Sequence, residues 1–150
     1  TLHTNDSPSA ITRMQELGVP AYLINATVLG VMAQRLIRTL CHHCKQPETI
    51  KSEVWSEFIQ GADIEVAEPC KPIGCIECRQ TGFLGRVGLY EMLEITNAIK
   101  PLIRTDGDLQ ELRNQAHKDG LQTLRHSGAK KVSQGLTTME EVLRVTPFVM

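Results

Sequence analysis

The chain has 150 residues, 41% hydrophobic and 22% charged, with a formal net charge of −1. That length suffices for one domain with a real core, and the near-zero charge argues against a nucleic-acid binder that relies on broad phosphate neutralisation. Aromatic residues make up only 4%, so the core must be built mainly from Leu, Ile, Val, Met and Ala. The most apolar stretch, residues 21–40, is broken by Asn25, Gly30, Gln34 and Arg35. A bilayer span needs about 20 predominantly apolar residues, so this stretch reads as a buried helix. The chain opens at Thr1 on a polar run without Met, as expected of a piece of a longer protein.

In chain order, residues 1–4 are expected to end a strand. Asp6 and Ser7 are N-cap candidates, and Pro8 suits the first turn of a helix. Ile11, Met14 and Leu17 then line one face, and Gly18 stops that helix. From Pro20 to about Leu40, apolar residues such as Leu23, Ile24, Val28, Met32, Leu36 and Ile37 fall on most sides of a helical wheel. This predicts one long helix, more apolar than the chain alone would cover. Arg35 and Arg38 would lie in its last turns, where cations complement the helix dipole. A short polar helix is predicted at residues 52–59. Ile64 and Val66 alternate with Glu65 as in a half-buried strand, and Gly85, Val87, Leu89 and Leu93 predict a strand at residues 86–92. Thr96 is expected to cap a helix holding Ile99, Leu102 and Ile103, with Pro101 awkward inside it. Asp108 with Glu111 and Thr138 with Glu141 resemble capping boxes, opening helices that end at Gly120 and at Thr146-Pro147. Leu121, Leu124 and Val132 mark a helix between them, ended by Gly135.

Chemistry concentrates in the cysteines. Cys41-His-His-Cys44 and Cys75-Ile-Glu-Cys78 are two C-x-x-C pairs in a chain without secretory features, which favours metal over disulfides. Each pair offers two thiolates from one tight turn, and four thiolates make a closed tetrahedral zinc site, structural rather than catalytic. Gly74 and Gly82 flank the second pair and relieve crowding there. A redox dithiol is the rival reading, but such a pair should open a helix after a strand, and the helix expected before Cys41 would disfavour a thiolate. His42 and His43 lie inside the first knuckle and are read as solvent-facing. Cys70 is the spare thiol, a small apolar residue near a strand end. The insert between the knuckles has few apolar anchors, among them Trp55 and Phe58, and should depend on the metal. The helices outside it have their own apolar faces and should not. No G-x-x-x-x-G-K-[ST] loop occurs, so the chain alone holds no complete nucleotide site.

Several segments resemble one family in the same order along nearly the whole chain. Thr1-Leu-His3-Thr-Asn5-Asp6 resembles the histidine box of the bacterial secretion ATPases that drive type II secretion and type IV pilus assembly. Ala33-Gln-Arg-Leu-Ile-Arg-Thr-Leu-Cys41-His-His-Cys44 resembles the approach to their zinc module, and Gly74-Cys-Ile-Glu-Cys78 with Gly82-Phe-Leu-Gly-Arg-Val-Gly-Leu-Tyr-Glu91 its second knuckle and following strand. Gly120-Leu-Gln-Thr-Leu124 and Gly135-Leu-Thr-Thr-Met-Glu-Glu-Val142 resemble the C-terminal helices. The resemblance implies an α+β, mostly helical fold: the C-terminal part of a RecA-like P-loop ATPase domain, with an inserted four-cysteine zinc module and a C-terminal helical bundle. Residues 1–40 would end the motor core, 41–80 form the zinc module, and 81–150 supply a strand and the last helices.

The same resemblance implies structural Zn²⁺ on Cys41, Cys44, Cys75 and Cys78. It implies ATP and Mg²⁺ in the full-length parent only, with His3 facing the nucleotide phosphates there and a subunit or nucleotide contact as the functional alternative to dipole pairing for Arg35 and Arg38. The implied partners are neighbouring subunits of a homohexamer and inner-membrane platform proteins, with no nucleic acid and a cytoplasmic, peripheral location. The fragment alone is expected to be inactive. The alternative is an independent structural zinc-binding interaction module.

Overall fold

The computed structural model describes residues 1–146. Helix α1 (Ser7–Glu16) begins where the sequence places it. Asp6 is extended, its carboxylate accepts the Ser9 N–H at 2.9 Å, and Pro8 occupies the first turn. The left-handed backbone of Gly18, φ +94°, ends it. Residues 1–4, expected as strand, have no regular structure, and Leu17 faces outward at 58% exposure. Pro20 opens α2 (Ala21–Thr27), which is only two turns long.

The long helix expected from residue 20 to 40 does not form. After α2 the backbone extends at Val28, and β1 (Gly30–Leu40) follows. Its burial alternates from Gly30 to Thr39, with Ala33 and Ile37 inward and Met32, Gln34, Leu36 and Arg38 outward, and Leu40 at its end is buried too. A strand with apolar residues on both faces shows no period-two contrast, so its sequence imitates an all-round apolar helix. Strand β1 pairs with β4 (Phe83–Glu94) in a two-stranded sheet. The Ile95 N–H donates to Leu29 and the Cys41 N–H to Gly82, which makes the pair antiparallel. Between those bonds β4 runs one residue longer than β1, and Gly85, φ +85°, supplies the left-handed backbone of a bulge.

The chain divides into two compact units, Thr1–Gln34 with Tyr90–Thr123, and Arg35–Leu89 with Leu124–Met150. The first holds α1, α2, one half of each long strand, a 3₁₀ turn (Lys100–Leu102) and α4 (Leu109–Lys118). Ile11, Ile24, Leu93, Ile95, Ile99, Ile103, Leu112 and Ala116 form its core, and each fully buried Ile or Leu contributes about 1.5–3 kcal/mol. The helix expected after Thr96 is only that 3₁₀ turn: the Thr96 hydroxyl accepts the Ile99 N–H, and Pro101 lies in the first positions of the turn, where its missing donor is harmless. Arg113 on α4 pairs with Asp6 at 2.9 Å, tying α4 to the N-cap of α1. Asp108 caps α4 through the Gln110 N–H.

The second unit holds the other half of each long strand, β2 (Gln46–Pro47), α3 (Ser52–Ile59), β3 (Cys70–Lys71), α5 (Leu124–Ser133) and α6 (Met139–Val145). Helix α3 forms over the predicted residues and buries Trp55 and Phe58, whose rings lie 5.5 Å apart. The expected strand around Ile64 is irregular chain, held by the Trp55 indole donating to the Ile64 carbonyl at 2.7 Å. Leu121 packs in the first unit rather than in α5. Helix α6 is capped by Thr138, which accepts the Glu141 N–H; Pro147, expected to close it, lies outside the described residues. No helix among the described residues is long and apolar enough to cross a membrane.

Candidate metal centre

Strand β1 delivers Cys41 at its end, and a tight turn follows, with the Cys44 and Lys45 N–H groups both donating to the Cys41 carbonyl. A second turn carries Cys75 and Cys78, with Gln80 donating to Cys75 at 2.8 Å and Thr81 to Cys78 at 3.2 Å. Arg79 and Gln80 both adopt positive φ in that turn. The two turns are held together from both sides. On one side β2 pairs antiparallel with β3, Gln46 facing Lys71 and Pro47 facing Cys70. On the other, the Cys41 N–H donates to Gly82 at 2.9 Å. Gly82 could carry no side chain here: its φ is +79°, and an added Cβ would lie 2.5 Å from that of Pro72.

The sulfurs of Cys41, Cys44, Cys75 and Cys78 all lie within 4.8 Å of one another. Cys41 to Cys75, Cys44 to Cys78 and Cys75 to Cys78 are each 3.8 Å apart. Four thiolates about 2.3 Å from a tetrahedral zinc lie about 3.8 Å from one another, so the cluster has the dimensions a zinc ion requires. Three main-chain N–H groups point at its sulfurs: Gly74 at Cys44, 3.3 Å, and Cys75 and Gly82 at Cys78, each 3.2 Å. Burial pushes the Cys44 thiol up, the Gly74 amide offsets part of this, and the neighbouring thiols raise it further, to about 11. Burial opposes a Cys78 thiolate too, but the Cys75 and Gly82 amides and the thiols of Cys75 and Cys44 outweigh it and bring Cys78 down to about 6. The backbone thus favours a thiolate at Cys78, while at Cys44 the Gly74 amide only offsets part of the effect of burial.

The strand before Cys41 removes the helix end that was expected to disfavour its thiolate. Redox chemistry is still not what the geometry suits, because neither pair opens a helix; residues 42–44 and 76–80 are turns. His42 and His43 are exposed and stack on each other, ring centroids 3.9 Å apart. Cys70 lies outside the cluster, under Gly135, its thiol turned to the Glu68 carbonyl. His3 is exposed.

Arg38 sits on β1, three residues before Cys41, and not in a helical last turn. Its main-chain N–H donates to Glu141 at 3.0 Å and its guanidinium to the same carboxylate at 2.6 Å. The guanidinium also lies 4.1 Å from the centre of the Phe83 ring, beside Gly82. This support for the first knuckle was missed in the sequence, because Glu141 lies 103 positions away and looked like a capping residue. Arg35 is half-buried on the inward side of the same strand.

Comparison with known proteins places this geometry. A type IV pilus assembly ATPase of Acinetobacter baylyi, TfpB, is 47% identical over 99% of the chain, which covers 26% of that protein. The pilus assembly ATPase PilB of Thermus thermophilus is 41% identical over 97% of the chain and 16% of its own length. Type II secretion system protein E of Pseudomonas aeruginosa is 40% identical, again over 97% of the chain, and 29% of it is covered. The chain therefore spans between 16% and 29% of the length of these relatives. The family model of the Type II/IV secretion system protein matches residues 1–144, and the chain belongs to that family.

Proposed function

We propose that this chain is the C-terminal part of a hexameric motor that hydrolyses ATP to drive type II secretion or type IV pilus assembly. The observation that carries the reading is the family match along residues 1–144. In this reading residues 1–40 end a RecA-like core, 41–80 form a zinc module, and 81–150 complete the chain with a strand and the last helices. Cys41, Cys44, Cys75 and Cys78 hold structural Zn²⁺, which fixes the two knuckles against each other. The sulfur spacing and the three amide donors support that assignment. His3 faces the nucleotide phosphates when the P-loop, ATP and Mg²⁺ of the parent are in place, and its exposed position leaves it open to such a contact. Movement between neighbouring subunits of the homohexamer passes to an inner-membrane platform protein, with the motor on the cytoplasmic side and no nucleic acid involved.

Two measurements test this. Calorimetry should detect no micromolar ATP binding to the 150-residue chain, while the longer natural polypeptide hydrolyses ATP. Tight binding by the chain alone, or a longer polypeptide without ATPase activity, would contradict the reading. Elemental analysis should find one zinc per chain, retained in Cys70→Ser and lost in Cys75→Ser. Equal loss in both variants would mean the ligand set is wrong.

A further inference from the structure

The four sulfurs of the cluster are not equivalent. Cys41 and Cys78 are buried, while Cys44 and Cys75 are partly exposed. The turn around Cys75 is open to solvent: Ile73, Ile76 and Glu77 are all exposed, Ile76 by 84%. Main-chain amides separate the two accessible sulfurs. Gly74 donates to Cys44 at 3.3 Å, and Cys75 and Gly82 each donate to Cys78 at 3.2 Å. Among the described residues no main-chain N–H reaches the sulfur of Cys75 or that of Cys41, whose contacts are with other sulfurs. With zinc bound all four are thiolates, so access and hydrogen bonding set the order in which they react. A donated N–H stabilises a thiolate and lowers its nucleophilicity. Cys75 is the one sulfur of the four that is both accessible and without an amide donor.

We propose that Cys75 is the modification site through which hydrogen peroxide and soft electrophiles open the cluster, and that Cys41 resolves the oxidised sulfur; the inference rests on the zinc assignment above. The Cys75 thiolate attacks one peroxide oxygen, the O–O bond breaks, and hydroxide leaves with its electron pair. Cys75 is then a sulfenic acid. The Cys41 sulfur lies 3.8 Å from it and, like Cys75, has no amide donor holding its lone pairs. Its thiolate attacks the Cys75 sulfur, an S–S bond forms, the S–OH bond breaks, and a second hydroxide leaves. Two thiolates have lost two electrons in all, one peroxide has become two hydroxides, and the site keeps two of its four ligands. Unlike a catalytic dithiol, the pair reacts across the two knuckles and gives up the metal. Lys45, next to Cys44, donates to the Gly135 carbonyl beyond α5 at 2.8 Å, so the module is an oxidant-sensitive lock on the second unit.

Timed alkylation tests this on the natural polypeptide that contains the chain, with Cys70→Ser to silence the spare thiol. The probe is N-ethylmaleimide: a sulfur adds to its C=C bond and water protonates the neighbouring carbon, leaving a neutral thioether. Peptide mass spectrometry locates the label, and a chromogenic chelator reports released zinc. Cys75 should be labelled about tenfold faster than Cys78 and ahead of Cys44 and Cys41, with zinc released in step. Labelling that starts at Cys41, Cys44 or Cys78 would overturn the inference. So would zinc release at a rate independent of reagent concentration, because dissociation would then come first. A preparation that holds no zinc removes the zinc assignment instead, which keeps the two failures apart. In a second arm, peroxide should give a Cys41–Cys75 disulfide as its first product. A first disulfide without Cys75 would overturn the entry site, and one from Cys75 to Cys78 would overturn the role of Cys41. Restoring Cys70 should leave the rate of zinc release unchanged; a faster rate would make Cys70 the entry thiol and refute the inference.

Discussion

The carboxylate of Glu141 accepts from the Arg38 main chain, the Arg38 guanidinium and the Arg144 guanidinium, with only 4% of its side chain exposed. Burial alone would raise its pKa. The Arg38 side-chain and backbone hydrogen bonds and the charges of Arg38 and Arg144 outweigh that and hold it below the usual carboxylate range. The folded carboxyl therefore releases its proton more readily than the unfolded one. Between the two pKa values the unfolded state binds more protons, and stability rises with pH. The contribution is complete above the unfolded value of about 4.3 and is lost as pH falls through the lower folded value. Glu141→Gln should cost about 1–2 kcal/mol at pH 7, less than a fully buried pair because Arg38 and Arg144 are 46% and 57% exposed. Urea unfolding should show that gap narrowing as the pH drops below about 4. A gap independent of pH would mean the charge of Glu141 is irrelevant. Sequence reasoning found half of this residue's work: the Thr138 cap does accept the Glu141 N–H. The other half depends on β1, a strand whose sequence imitates a helix.

At the scale of elements, what the sequence revealed was local chemistry. Asp6 ahead of Pro8, Asp108 ahead of α4 and Thr138 ahead of α6 all cap as expected, because a cap is decided within a few residues. The four knuckle cysteines come together as their spacing predicts. Strand β1 was illegible because Ala33, Gln34, Arg35 and Leu36 are good helix formers, and its pairing with β4 is a long-range fact that no local window contains. Close helix packing was equally hidden. Gly128 on α5 lies against Val142 on α6, and an added Cβ would sit 2.5 Å from a Val142 methyl. Val142 is fully buried and cannot swing away. Gly128→Ala should therefore destabilise the second unit by about 1–3 kcal/mol through overpacking, despite Ala being the better helix former. Pairing it with Val142→Ala should recover part of the loss, since the two changes share one contact. A stabilised Gly128→Ala variant would show that α5 and α6 are free to separate.

At the scale of the whole molecule, the sequence suggests that every helix outside residues 41–80 survives loss of the metal, and the contacts divide that expectation in two. Helices α5 and α6 share a unit with the knuckles. The Ser133 carbonyl accepts the Glu68 N–H at 2.8 Å, and its hydroxyl bridges the Ala67 N–H and the Glu65 carbonyl. Just beyond α5, Gly135 accepts from the Lys45 ammonium at 2.8 Å, and Leu136 accepts the Leu40 N–H at 2.8 Å. The end of α5 and the loop after it thus hold both sides of the insert and the approach to Cys41. Helix α4 belongs to the other unit, with its own core at Leu112 and Ala116. Zinc bound by cysteines contributes on the order of 10 kcal/mol to folding, more than these hydrogen bonds could replace at about 1 kcal/mol each. Amide exchange after verified chelation should therefore show protection lost over residues 41–80 and reduced over α5 and α6, while α1 and α4 keep theirs. Full protection retained in α5 and α6 would mean their own packing suffices without the module. Collapse of α4 together with the rest would mean the two units unfold as one.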